Sequence, residues 1–163
     1  MIKTSHSELF QPQVDALTKI AEGDGRIVFL NRYLSRDELT GLQSISDCYV
    51  SLHRSEGLGL GMAEAMSLGK PTIATGYSGN LAFMNETNSL LVDYKMVPVR
   101  PGEYINADGQ CWADADIDDA ARKMRFVYEN QAQAQALGHH ARLSLARDFS
   151  LDAVGQRIRE QLF

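Results

Sequence analysis

A chain of 163 residues, 44% hydrophobic and 23% charged, fits one globular domain of ordinary composition. Its net charge of -5 argues against a general nucleic-acid footprint, and an anionic ligand would need local groups to hold it. No apolar run reaches the length of a membrane span and no signal peptide opens the chain. The two cysteines, Cys48 and Cys111, lie far apart without metal spacing, so a cytoplasmic setting is the expectation.

In chain order, Ile2-Lys3-Thr4 reads as the end of a short strand, as though the sequence opened inside a fold. Val14, Leu17, Ile20 and Ala21 share one helical face, and the apolar run Arg26–Leu30 predicts a strand buried on both sides. Ser35-Arg36-Asp37-Glu38 has the form of a capping box, starting a helix that turns Leu39, Leu42 and Ile45 inward. A strand at 48–52 and a helix from about Gly59 follow, the helix closed by Gly69 and Pro71. Pro71–Thr75 reads as a strand, 76–80 as a turn, Leu81–Met84 as a short helical piece and Ser89–Val92 as a further strand. This alternation predicts an α/β fold, a Rossmann-like parallel sheet flanked by helices, with ligands at the carboxyl ends of its strands. The Pro-rich stretch 93–111 breaks the rhythm and reads as an inserted excursion, a hairpin in form, with Trp112–Asp116 leading into a helix. The remainder is helical, with apolar stripes at Ile117, Ala120, Ala121, Met124, Val127 and Tyr128, then at Leu137, Ala141 and Leu145. A last stripe, Leu151, Val154, Ile158 and Leu162, is capped by Ser150.

One stretch carries chemistry. In Ser55-Glu56-Gly57-Leu58-Gly59-Leu60-Gly61-Met62-Ala63-Glu64-Ala65-Met66, two carboxylates bracket alternating glycines between a strand and a helix. A helix N-terminus offers unpaired N–H groups and partial positive charge to a phosphate. The acids add acceptors for sugar hydroxyls, so the pattern suits a nucleotide-sugar. A dinucleotide loop is the competing account. The glycines fall as G-x-G-x-G, however, and Thr75-Gly76 stand where that motif places an acid. Asp114-Ala115-Asp116 reads as an acidic helix start, and the adjacent His139-His140 lack the spacing of a ligand pair. His53 stands at a strand end beside the loop, either as a site residue or as a hydrogen-bonded loop histidine. Met62 and Met66 share a core face.

These residues resemble the C-terminal, donor-binding domain of retaining family 4 ("group 1") glycosyltransferases of the GT-B fold. The likeness rests on the E-x7-E pair Glu56 and Glu64 and on Gly57-Leu58-Gly59-Leu60 between them. It continues in Glu64-Ala65-Met66-Ser67-Leu68-Gly69-Lys70-Pro71, Ile73-Ala74-Thr75, Ser78-Gly79-Asn80, Leu90-Leu91-Val92 and Asp148-Phe149-Ser150. The chain departs from the pattern in lacking an N-terminal acceptor domain and the donor domain's first strand and helix, which carry diphosphate-holding basic residues. It also has Asn80 at a position where many members carry glycine or an acid, and a longer 93–111 excursion.

The resemblance implies a donor site for a UDP-, GDP- or ADP-sugar. Glu56 would hold sugar hydroxyls at the catalytic centre, Glu64 the ribose hydroxyls, and Gly57, Leu58, Gly59 and Leu60 the diphosphate. Leu34 is the candidate base contact and Arg54 the candidate source of extra positive charge, although an arginine in such a place is more often a surface ion-pair partner. No metal or other cofactor is expected. An acceptor glycan or lipid would be served by the missing N-terminal domain, and a membrane-peripheral full-length protein is compatible with this. Two rival accounts remain open: a non-catalytic scaffold of the same fold, and a fragment of a GT-B sugar-nucleotide epimerase.

Overall fold

Local turn chemistry sets where the elements begin and end. In the computed structural model, which describes residues 1–4 and 11–162, the chain divides into two compact units, Met1–Leu39 and Thr40–Phe163. The first unit is a β-α-β arrangement. Strand β1 (Ile2–Thr4) pairs in parallel with β2 (Phe29–Asn31), and α1 (Gln11–Ala21) lies between them in sequence. The strand expected over Arg26–Leu30 is shorter and begins later. Asp24 accepts from the Arg26 backbone N–H at 3.0 Å and from its guanidinium at 2.8 Å, and this turn consumes the start of the run. Ile27 and Val28 are exposed rather than enclosed, and no described residue of α1 is buried.

Helix α2 (Arg36–Ile45) runs across the boundary between the units. Its capping box forms as expected: the Ser35 N–H donates to Glu38 Oε2 at 2.8 Å, and the Glu38 N–H donates to Ser35 Oγ at 3.2 Å. Leu39 and Leu42 are half-buried, but Ile45 is exposed and Gln43 is the buried residue of this helix.

The second unit is built on a three-stranded parallel sheet in the order β3 (Tyr49–Ser51), β4 (Thr72–Thr75), β5 (Leu90–Val92). The central strand β4 is buried along its whole length. Its alternating side chains feed two layers of core. Ala74 packs with Met62, Met66, Phe83, Met84, Ala141 and Leu145 on one face; Ile73 packs with Val92, Ala120, Val127 and Ala134 on the other. Helix α3 (Leu60–Ser67) and most of α5 (Gln131–Phe149) therefore cover one face, and α4 (Ile117–Glu129) covers the other. The end of α3 is a Schellman motif: Gly69 N–H donates to Met66 O at 2.9 Å and Lys70 N–H to Ala65 O at 3.0 Å, just before Pro71. The helical piece expected at Leu81–Met84 is a 3-10 turn over Gly79–Ala82.

The 93–111 excursion is an antiparallel ribbon of β6 (Tyr94–Pro98) and β7 (Cys111–Ala115), with Tyr94 opposite Ala115 and Pro98 opposite Cys111. Trp112–Ala115, expected to lead into a helix, do so as the end of a strand. The helix waits for Asp116, whose Oδ1 accepts the Asp119 N–H at 2.9 Å as an N-cap. Pro98 is tolerated because it sits at the end of a two-stranded ribbon rather than inside a sheet. Of the α4 stripe, Ala120 and Val127 are buried, while Ile117, Met124 and Tyr128 face solvent. Ser150 caps α6 (Leu151–Leu162), accepting the Ala153 N–H at 3.2 Å, yet no residue of α6 is buried and its apolar stripe stands open.

Candidate functional site

The Glu56 loop leaves the carboxyl end of β3 and is held by the turn that leaves the carboxyl end of β4. The Glu56 carbonyl accepts from Ser78 Oγ at 2.7 Å and from the Gly79 N–H at 3.1 Å, and the Glu56 N–H donates to Ser78 Oγ at 3.3 Å. The contact is so close that a Cβ on Gly79 would collide with the Gly57 carbonyl oxygen. Ser78 adopts a left-handed φ of 81° to make this approach. Glu56 folds its carboxylate back so that Oε1 accepts the Gly57 N–H at 3.0 Å.

The loop ends at Gly59, the N-cap of α3, with φ 91° and no capping side chain. Glycine is favoured there by the left-handed backbone, which side chains rarely adopt. No side-chain oxygen from the cap residue meets the first-turn N–H groups of α3, and these lie between the two acids. Glu64, expected on the first helical turn, begins the second, four residues after Leu60, and is half-buried. Gly57, Leu58 and Leu60 are exposed.

Tyr49, which the sequence marks only as part of the 48–52 strand, also belongs to this neighbourhood. It is half-buried at the start of β3, and burial raises its phenol pKa, helped by the negative charges of Glu56 and Glu64. Its hydroxyl lies against Gly61, where a Cβ would come within 2.6 Å of Oη.

His53 is a hydrogen-bonded loop histidine. Its Nε2 faces two acceptors, the Tyr77 carbonyl at 2.9 Å and Asn80 Oδ1 at 3.2 Å, and so carries the proton; Nδ1 faces Ser51 Oγ at 3.2 Å. Asn80, the departure from the family pattern, is fully buried and donates to the Thr75 carbonyl at 3.1 Å, so here it ties the two loops to the sheet. Arg54 turns to the ribbon: it pairs with Asp114 at 3.1 Å and lies over the Trp112 ring at 4.7 Å, while its carbonyl accepts the Ala113 N–H at 2.9 Å. Leu34 is half-buried in the first unit, in the segment where Arg32 pairs with Glu38 at 2.9 Å. An open, acidic hollow of about 760 Å³ is lined in part by Asp93, Tyr94, Lys95, Asp114 and Asp118, and neither Glu56 nor Glu64 lines it. Among the described residues, no group of three or more His, Cys, Asp and Glu could hold a metal ion, and no helix is long and apolar enough to cross a membrane.

A parallel α/β sheet with a glycine loop and two acids at its carboxyl edge places this chain among the open α/β folds, whose ligands bind at that edge. A family model, "Glycosyl transferases group 1", matches residues 13–144, and the chain belongs to that family. No curated protein matches the sequence. Among solved structures, Anabaena Alr3699/HepE in complex with UDP and glucose is 18% identical with a TM-score of 0.69, over 96% of this chain and 37% of that one. Sucrose-phosphate synthase from Thermosynechococcus elongatus is 22% identical with a TM-score of 0.68, over 94% of this chain and 34% of that one. The likeness shows the GT-B type of α/β fold, and the chain spans about a third of the length of these structures.

Proposed function

We propose that the chain is the donor-binding part of a retaining glycosyltransferase, taking a nucleotide-diphospho-sugar whose sugar passes to a hydroxyl of an acceptor glycan or lipid. The observation that carries this reading is the pinned loop: two acids bracket a backbone clamped by Ser78 and Gly79, which ends on a helix start with no capping side chain. Amides fixed in this way suit the charge that grows on a leaving diphosphate, and they need no reorganisation as it forms. Glu56 takes hydroxyls of the donor sugar and Glu64 those of the ribose. In retaining transfer of this kind the acceptor hydroxyl attacks the face that the diphosphate leaves. Its proton passes to the departing diphosphate oxygen, so the protein supplies position and electrostatics rather than a base. No metal enters this scheme. A UDP-sugar is the first donor to try, because HepE has been solved with UDP and with UDP-glucose.

Calorimetry of the folded chain with UDP, GDP and ADP tests the reading; at least one should bind. Glu64→Gln should weaken that nucleoside diphosphate about tenfold, the order expected for losing a charge-assisted hydrogen bond, while changing free diphosphate little. Silence from all three nucleotides, or equal losses for nucleotide and diphosphate, would count against the assignment.

A further inference from the structure

The β6–β7 ribbon is fastened to both loops of the candidate site. On its β7 side the fastening is Arg54, two residues before Glu56. The Arg54 carbonyl accepts the N–H of fully buried Ala113 at 2.9 Å, a bond made outside the ribbon's own pairing. Side chains alternate along a strand, so Trp112 and Asp114 share one face of β7 with Ala113 between them. The Arg54 guanidinium meets that face, 4.7 Å from the Trp112 ring centroid and 3.1 Å from Asp114 Oδ1. An exposed ion pair alone holds little, but here it is joined by a ring contact and a backbone bond. On the β6 side the Tyr94 ring stands 5.2 Å from that of Tyr77, in the turn after β4. The Tyr77 carbonyl in turn accepts from Nε2 of His53, the residue before Arg54, at 2.9 Å. Only Ser55 separates Arg54 from Glu56, whose backbone is clamped by Ser78 and Gly79. The entry to the glycine loop is thus held at both ends, by the ribbon and by the β4 turn.

We infer that Arg54 is a positioning residue of the donor site and that the ribbon is a functional part of that site. The clasp of Arg54 with Trp112, Ala113 and Asp114 fixes the entry to the glycine loop before a nucleotide-sugar arrives. The inference rests on the donor reading above and gives the 93–111 excursion a task within it. A loop ordered in advance loses less freedom when a ligand binds, so the ligand binds more tightly. Arg54 acts through the loop, and its charge is taken up by Asp114 and Trp112 rather than by the diphosphate.

The test is calorimetry on the full chain with inorganic pyrophosphate and with whichever of UDP, GDP and ADP the parent chain binds. Arg54→Ala and Trp112→Leu should each weaken the nucleotide about three- to tenfold. The double variant should bind it no more weakly than the weaker single variant, because both changes open one clasp. Trp112 is the chain's single tryptophan, so its fluorescence reports the clasp directly. Acrylamide should quench it more strongly in Arg54→Ala than in the parent. Asp114→Asn separates positioning from direct contact by the sign of its effect. A clasp residue loses a partner, and the nucleotide should weaken about twofold. A phosphate ligand would instead be released from its ion pair, and nucleotide and pyrophosphate would both bind more tightly. Asp114 is exposed, so this variant also serves where either of the others does not fold. Several outcomes would overturn the inference and leave the donor reading standing: unchanged nucleotide binding in Arg54→Ala, a loss there that Trp112→Leu does not share, multiplying effects in the double variant, or tighter binding in Asp114→Asn. A folded parent chain that binds none of the three nucleotides would remove the donor reading and this inference with it.

Discussion

At the scale of single residues, the site depends on backbone approaching backbone. Gly79 lies so close to the Glu56–Gly57 peptide that any side chain would enter the Gly57 carbonyl. Gly79→Ala must therefore separate the two loops or shift both. Strain of this kind costs about 1–3 kcal/mol. The expected outcome is a lower urea midpoint together with nucleotide binding reduced beyond what the stability change explains; unchanged binding would show that the clamp does not shape the site. The two acids and Gly59 were legible in the sequence because their information is local: a spacing, a left-handed cap, a helix start. The position of Tyr49 was not, because its phenol spans from β3 to the first turn of α3, and a strand tyrosine looks the same whatever it reaches. Gly61, superfluous to the cap, was the available signal. Arg54 could be noticed in the sequence but not placed, since its partners Asp114 and Trp112 arrive from a ribbon some sixty residues on.

At the scale of elements, the boundaries set by side-chain caps were legible and those set by pairing were not. The Ser35–Glu38 box and the Gly69 Schellman turn formed where the sequence placed them. The Arg26–Leu30 run and the Trp112–Ala115 strand differed, because a strand exists only where a partner pairs with it, and apolar content does not say which residues will be paired. Asp119 shows what an acidic helix start does once folded. Buried at the beginning of α4, it accepts from Lys123 Nζ at 2.5 Å and from the Asp93 N–H at 3.0 Å, joining the helix to the end of β5. The hydrogen bond from Lys123, and then that from Asp93, hold its carboxyl below the ordinary 3.8. A lowered folded-state pKa means that this contribution is complete above the unfolded value and is lost as pH falls through the lower, folded one. Asp119→Asn should cost about 1–3 kcal/mol in urea unfolding near neutral pH. The gap between parent and variant should close below about pH 3.8, as the parent's own carboxyl is protonated. A gap independent of pH would assign the role of Asp119 to packing rather than to charge.

At the scale of the whole molecule, stability is concentrated in one part of the chain. Every described residue that is buried lies between Gln43 and Leu145, all within the second unit, whereas the first has none. The core clusters on the two faces of the β3–β5 sheet draw only on residues of that second unit. A shortened chain beginning at Tyr33 keeps the Ser35 and Glu38 cap of α2 and every buried side chain. Beyond the first β-α-β segment it gives up, among the described ion pairs, the Arg32–Glu38 pair, whose exposed partners contribute little. It should unfold cooperatively, with a thermal midpoint within about 3 °C of the parent, since changes away from buried contacts stay near 0.5 kcal/mol. Residues 1–32 alone should show no cooperative transition by circular dichroism, being below the roughly 40 residues that a self-supporting core needs. Loss of the cooperative transition in the shortened chain would mean that the second unit draws stability from the first despite the placement of its core, and the donor loop would then depend on residues far from it in sequence.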